Sequence, residues 1–361
     1  MIGDLLRLTV CDLPSNVYYF DECGEDEMSD TFYSRSGNDR GALMEMLRPA
    51  GEEQSARQAL RHIDCVWLNG ELIPTDEAAA HMAAHILNPA LPEGLGVFEG
   101  IGCYETERGP ALFRPEAHLT RFLQRVRQMG VGDLRFDLFA LRRAAHVTVQ
   151  VNNYSSCYVR PILYFAGEGD SYEPAVAVTA SGWESDVAQG VAAREKRQRG
   201  IRVMVSNGGK RGRVEAYGAA REAARQAGYD EAILLDEEGM VVDCTAEALF
   251  LLRDGVLYTP PQPEPLPGVA RDTVITLAGD LGVTVRETPI GRAALHTAEE
   301  VFVCGTAAEV TPVRELDDRA LGEGAVGPVT ARLQALYADV VRGHGPRSRG
   351  WLEYVMMEPL F

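Results

Sequence analysis

The chain has 361 residues, 46% hydrophobic and 24% charged, a profile that excludes disordered, collagenous and small disulfide-stapled proteins and leaves room for one large domain or two medium ones. A formal charge of -18 argues against nonspecific binding to nucleic acid or to an anionic membrane surface, which both need basic surface. All but two of the 35 basic residues are arginine, so any chemistry that needs a deprotonated amine falls to Lys196 or Lys210.

Residues 1–60 hold twelve acidic residues against five arginines and read as an acidic N-terminal extension. The first residues, MIGDLLRLTVCDLPSN, lack a basic segment ahead of a long apolar run and so do not read as a secretory signal. From residue 65 the pattern becomes globular. Two apolar runs flank Asn69-Gly70, the dipeptide that most favours a two-residue hairpin turn. Strand-like segments follow at residues 96–104, 156–165 and 175–179, with a helical period over 114–126 that has Pro115 in its first turn. A second unit opens with a strand at 201–206 and an alanine-rich helix over 215–227, closed by Gly228. Short strands at 231–236, 240–243 and 249–252, joined by turns at Gly239 and Asp254-Gly255, predict an antiparallel or mixed sheet. The expected architecture is α+β in two lobes, a small one over 61–170 and a large one over 171–361. Seven scattered cysteines without CxxC spacing point to a reducing, cytoplasmic setting and to no metal cluster. No segment approaches the roughly 20 apolar residues that span a bilayer.

Two turns suit an anion. Pro267-Gly268 leads straight into a helical pattern, where unpaired backbone N–H groups favour a phosphate. Gly305-Thr306 follows the apolar run 301–303.

Taken in order, the segments Phe98-Glu99-Gly100-Ile101, Gly228-Tyr229-Asp230-Glu231, Glu247-Ala248-Leu249-Phe250, Leu266-Pro267-Gly268-Val269-Ala270-Arg271-Asp272 and Gly305-Thr306-Ala307-Ala308-Glu309 resemble the class IV aminotransferases. These are fold-type IV pyridoxal phosphate enzymes, and Gly327-Pro328-Val329-Thr330 and Trp351-Leu352-Glu353 are similar to the branched-chain amino acid group in particular. The resemblance spans about residues 62 to 356. It implies a homodimer that uses pyridoxal 5'-phosphate to move an amino group between an amino acid and a 2-oxo acid. It also implies that Arg121, Val269, Ala270 and Thr306 hold the cofactor phosphate, and that Asp243 stands where the family has a glutamate facing the pyridine nitrogen. A carboxylate there keeps that nitrogen protonated.

The family places its Schiff-base lysine in a Lys-x-x-Gly-Asn-Tyr segment before Gly-Tyr-Asp-Glu. Counting back from Gly228 brings Lys210 to within one residue of that lysine, although the Gly-Asn-Tyr signature is absent here, and Tyr217 stands in for the lost tyrosine's contact to the cofactor. In the alternative alignment Lys210-Arg211 match a basic pair just after Val205-Ser206, and the lysine is lost. On the substrate side the resemblance implies Phe98, Tyr158, Arg160 and Ala307. Glu93 stands at the family's active-site tyrosine and Gly102 at its arginine, so the pocket is altered. Two other outcomes stay open: a lyase of the aminodeoxychorismate type, and a repurposed member that binds a ligand without transamination.

Overall fold

The computed structural model describes residues 8–9, 64–78, 96–132, 134–168, 171–183, 191–207, 214–262, 267–322, 324 and 326–356. Two sheets account for the strands among these residues. The first begins with β1 (Leu8–Thr9), β2 (Cys65–Leu68) and β3 (Glu71–Pro74). Asn69 and Gly70 turn the β2–β3 hairpin with φ of 50° and 107°, the left-handed conformation that makes Asn-Gly a hairpin signal. The sheet continues through β4 (Val97–Phe98), β5 (Ile101–Thr106), β6 (Gly109–Phe113), β7 (Cys157–Glu168) and β8 (Ser171–Gly182), and ends on β18 (Leu352–Tyr354), which returns from the far end of the chain to pair with β6. Its order is β1-β3-β2-β8-β7-β5-β6-β18, with β4 beside β7. Because β8 forms a long hairpin with β7, this sheet runs past residue 170, where the small lobe was expected to end.

Helices α1 (Pro115–Gln128) and α2 (Leu138–Val151) cover one face of the first sheet. Leu119, Phe122 and Val126 from α1 and Leu141, Ala144 and Val147 from α2 pack on Ile101, Cys103, Val159 and Leu163. The apolar positions of α1 recur every three or four residues, so one stripe is buried while the arginines lie outside it.

The second sheet contains β9 (Ile201–Asn207), β10 (Glu231–Leu235), β11 (Val241–Cys244), β12 (Ala248–Arg253), β13 (Val256–Thr259), β14 (Thr284–Glu287), β15 (Glu300–Gly305), β16 (Glu309–Leu316) and β17 (Arg319–Ala320). Its order is β11-β10-β9-β16-β15-β12-β13-β14, with β17 beside β16. It is mixed: β9 runs parallel to β10 and β16, and β13 parallel to β14, while the remaining pairs are antiparallel. A parallel pair needs a crossover, and the alanine-rich helix α4 (Val214–Gln226) supplies it between β9 and β10, after a short α3 (Val191–Arg199) ahead of β9. Helices α5 (Val269–Asp280) and α7 (Pro328–Val341) pack on Phe250, Phe302 and Cys304 together with Tyr104, Ala111, Phe113 and Leu352 of the first sheet. That shared core joins the two sheets. The short helices α6 (Arg292–His296), between β14 and β15, and α8 (Ser348–Trp351), before β18, complete the fold. No described helix is long and apolar enough to cross a membrane.

Candidate active site

The site is built where α1 of the first unit meets the start of α5 in the second. Arg114, in the left-handed conformation at φ 50°, ends β6 and turns the chain into α1, with Pro115 at the first helical position. Its guanidinium donates to Asp272 Oδ2 at 2.6 Å and Thr273 Oγ1 at 2.8 Å, both in the first turns of α5, and lies 4.8 Å from the centre of the Trp351 ring. This bridge fixes one helix start against the other.

Two turns further along α1, Arg121 and Val269 line one cleft of 470 Å³ between the helices. Arg121 Nη1 lies 2.9 and 2.7 Å from the two oxygens of Glu99, a buried carboxylate that also meets His118 Nδ1 at 3.1 Å. Burial opposes the charge on Glu99. The His118 hydrogen bond and the positive charge of Arg121 outweigh it and hold the carboxyl below the ordinary carboxylate range. Glu99 thereby orients the guanidinium while leaving Arg121 Nε buried without a hydrogen-bond partner. Across the cleft, Gly268 caps α5 with no side-chain bond to its first-turn N–H groups. A guanidinium with an unsatisfied N–H and a helix start without a side-chain cap, lining one cleft, supply the kind of donors that a phosphate monoester needs. By this test the residues present fit pyridoxal phosphate.

Asp243 sits on β11, the edge strand, opposite Leu234. Gln262 connects it to the phosphate side: its Nε2 is 3.5 Å from Asp243 Oδ2 and its Oε1 accepts from Gly268 N at 2.8 Å. Behind Asp243 lie two more carboxyls. Glu231 accepts from Ala232 N at 2.6 Å, Thr245 N at 3.0 Å and the Thr245 hydroxyl, which ties down the β11–β12 turn. Burial, and then the neighbouring Glu231, push the Glu247 carboxyl well above the usual range, so it is held neutral. A Cβ on Gly305 would lie 3.3 Å from Glu247 Cγ, so the 305–308 turn that carries Thr306 and Ala307 packs directly on the turn beneath Asp243. The Ala307 carbonyl accepts from Arg197 at 3.3 Å.

On the other side, Tyr158 and Arg160 project from β7. Arg160 lies 5.3 Å from the Tyr158 ring centre and 5.7 Å from that of Phe98 on β4. Ala270 is buried in the core under α5. Tyr217 packs among Ala220, Ala224, Ala232 and Val242, beside the strand that carries Asp243. Lys210 and Glu93 lie outside the described residues. Sequence reasoning did not assign Glu99, His118, Gln262, Glu247 or Arg114 a role. Glu99 stood in a quoted motif, whereas Gln262 and Arg114 carry no local signal because their partners are remote.

Residues 96–316 match the family described as amino-transferase class IV. The branched-chain-amino-acid aminotransferase of Escherichia coli K12 is 35% identical over 315 residues, covering 81% of this chain and 97% of that protein. Its crystal structure superposes with a TM-score of 0.72 at 34% identity, covering 81% of this chain and 100% of that one. The T.th. branched-chain amino acid aminotransferase with pyridoxamine 5'-phosphate gives 0.71 at 36% identity, covering 81% and 99%. This chain belongs to the class IV aminotransferases, with the α+β fold-type IV architecture.

Proposed function

We propose that this protein is a pyridoxal phosphate-dependent aminotransferase of branched-chain type that moves an amino group between an amino acid and a 2-oxo acid. The observation that carries the reading is the cleft between α1 and α5, with the buried Arg121 Nε free to donate opposite an uncapped helix start. Structures of relatives that hold pyridoxamine 5'-phosphate support the same cofactor.

In this reading Arg121 and the N–H groups of Val269 and Ala270 hold the phosphate, with the Thr306 hydroxyl beside them. Asp243 would meet the pyridine nitrogen and keep it protonated, and Tyr217 would contact the cofactor. When bound, the cofactor supplies an electron sink for the bond broken at the substrate Cα. Lys210 provides the amine that anchors the cofactor and moves the proton at Cα. Tyr158, Arg160, Phe98, Ala307 and Glu93 shape the substrate side. The large lobe carries most of the cofactor contacts, and the protein works as a cytoplasmic homodimer, a setting consistent with five free, buried cysteines among the described residues.

The test is borohydride reduction of the purified protein with pyridoxal phosphate, followed by peptide mass mapping. The expected product is an adduct on Lys210, together with loss of amino transfer in Lys210→Ala. Full transamination by Lys210→Ala would overturn the assignment of the lysine, and no adduct anywhere would overturn the enzyme.

A further inference from the structure

A second cavity, of 800 Å³, opens beside the core that joins the two sheets. It shares no described lining residue with the cleft of Arg121 and Val269. Tyr104 lines it from β5 and Trp183 from just after β8, Arg194 and Arg197 from α3, and Tyr337 and Arg342 from α7 and its C-cap. The Trp183 ring centre is 5.5 Å from that of Tyr104 and 5.8 Å from that of Tyr158, and its indole N–H donates to Cys103 O at 2.9 Å. Of those two tyrosines only Tyr104 lines the cavity, so the indole separates it from the wall of Tyr158 and Arg160.

In a chain of formal charge -18, three guanidiniums converge on this one cavity. Two carboxyls line it as well, Glu105 and Glu309. Glu309 is paired with Arg197, whose Nε lies 3.4 Å away. Burial outweighs the charges of Arg197 and Arg342 and holds the Glu309 carboxyl above the ordinary range, which reduces the negative charge it brings. Arg194 and Arg342 are exposed, and neither has an ion-pair partner among the described residues. The Tyr104 hydroxyl is buried without a hydrogen-bond partner, on a residue 9% exposed, and burial keeps it protonated. A buried donor left without an acceptor is costly until something satisfies it.

Arg197 connects the cavity to the active site. Its Nη1 donates to the Ala307 carbonyl at 3.3 Å, in the turn that carries Thr306. Gln334 Nε2 donates at 2.9 Å both to the Arg197 carbonyl and to that of Val310, which fixes α3 against β16.

We propose that this cavity is a second binding site, for a small organic dianion of the phosphate-monoester or dicarboxylate type paired with Arg194 and Arg342, and that its occupant acts on the active site through Arg197. A guanidinium pairs in bidentate fashion with either oxyanion, and two of them offset two charges. The Trp183 and Tyr337 rings suit the carbon body of such a ligand. An occupant that draws Arg197 to itself releases the Ala307 carbonyl and loosens the 305–308 turn. The binding stands apart from the aminotransferase reading, whereas the action on the active site rests on it.

The test is calorimetric titration of the pyridoxal phosphate-loaded protein with glycerol 3-phosphate and with succinate at low salt. Binding of one alone assigns that source, binding of both assigns their shared chemistry, and binding of neither overturns the site. Arg194→Gln with Arg342→Gln removes two exposed side chains that hold no described ion pair, so the fold is kept, and it is expected to weaken the binding about tenfold or more. Arg160→Gln, on the substrate side, is expected to leave it unchanged. Undiminished binding in the double variant, or loss in Arg160→Gln, would place the probe elsewhere and overturn the proposal. In the half-reaction with leucine, a saturating probe is expected to raise the half-saturating leucine concentration about fivefold in the wild type and to leave it unmoved in the double variant. No shift in the wild type, or an equal shift in both, would overturn the action through Arg197. Failure of the aminotransferase reading has a different signature, no amino transfer from any amino acid with or without the probe, and the titration then still decides the site.

Discussion

Replacing Arg121 by methionine isolates the contribution of the Glu99 cluster. The variant keeps Glu99 buried at 5% exposure but leaves it His118 as its remaining side-chain partner at 3.1 Å. Removing one partner of a fully buried ion pair costs about 3–5 kcal/mol. Arg121 is 28% exposed, so solvent screens part of the attraction, and about 2 kcal/mol remains. For a chain of this size that lowers Tm by about 3 °C. The loss depends on pH with a definite sign. In the wild type the Glu99 carboxyl is held below its ordinary value of 4.5, so its stabilisation is present above pH 4.5 and lost as pH falls through the folded value. Without Arg121 one of the influences that lower the folded value is lost, so that value moves up and less stability is gained as pH rises. The gap between variant and wild type is therefore smaller at about pH 3 than at about pH 8, as read by urea unfolding at each. Glu99→Gln in the Arg121→Met background removes the stranded charge and is expected to recover about 1 kcal/mol. A gap equal at the two pH values, or no recovery in the double variant, would refute the reasoning. The same variant loses a charged phosphate donor, and its affinity for pyridoxal phosphate is expected to fall about tenfold to a hundredfold.

Gly100→Ala puts a methyl group 1.7 Å from the Tyr158 hydroxyl and should cost about 1–3 kcal/mol of overpacking; a thermal melt identical to the wild type would contradict the close approach. Glu247 has its folded proton affinity raised, so its stabilisation is complete below 4.5 and is lost as pH rises toward the folded value. Glu247→Gln should flatten the decline in stability as pH rises above 4.5, and parallel curves for the two proteins would count against a raised Glu247. Arg114→Ala cuts the bridge from α1 to Asp272 and Thr273. Asp272 is half exposed, so the stability loss should be only about 1 kcal/mol, while pyridoxal phosphate binding, followed by fluorescence, should weaken clearly. An unchanged dissociation constant would show that the bridge does not position the cleft.

The features legible in the sequence are those whose cause lies within a few residues. Asn69-Gly70 and Asp254-Gly255 both turn with positive φ at each position, as their chemistry favours. Pro115 starts α1, and Gly228, at φ 80°, follows the alanine-rich helix, because capping geometry is local. The order of motifs likewise carried the family, and through it the residues expected to hold the phosphate. The extent of the first sheet was not legible. Whether residues 171–182 pair back on β7 depends on a partner strand, and an alternating apolar pattern suits either sheet.

By itself, the sequence determined the acidic, arginine-rich composition, the local turns and caps, and the residue types available for chemistry. Tertiary structure alone decided which of them meet. Arg114 reaches Asp272 across 158 positions, Gln262 joins Asp243 to the start of α5, and Tyr104 and Tyr158 lie over two glycines that sequence shows only as missing side chains. The physical reason is that hydrogen-bond partners and packing neighbours are set by how two sheets close on one another, and closure is a property of the whole chain that no short window of residues encodes.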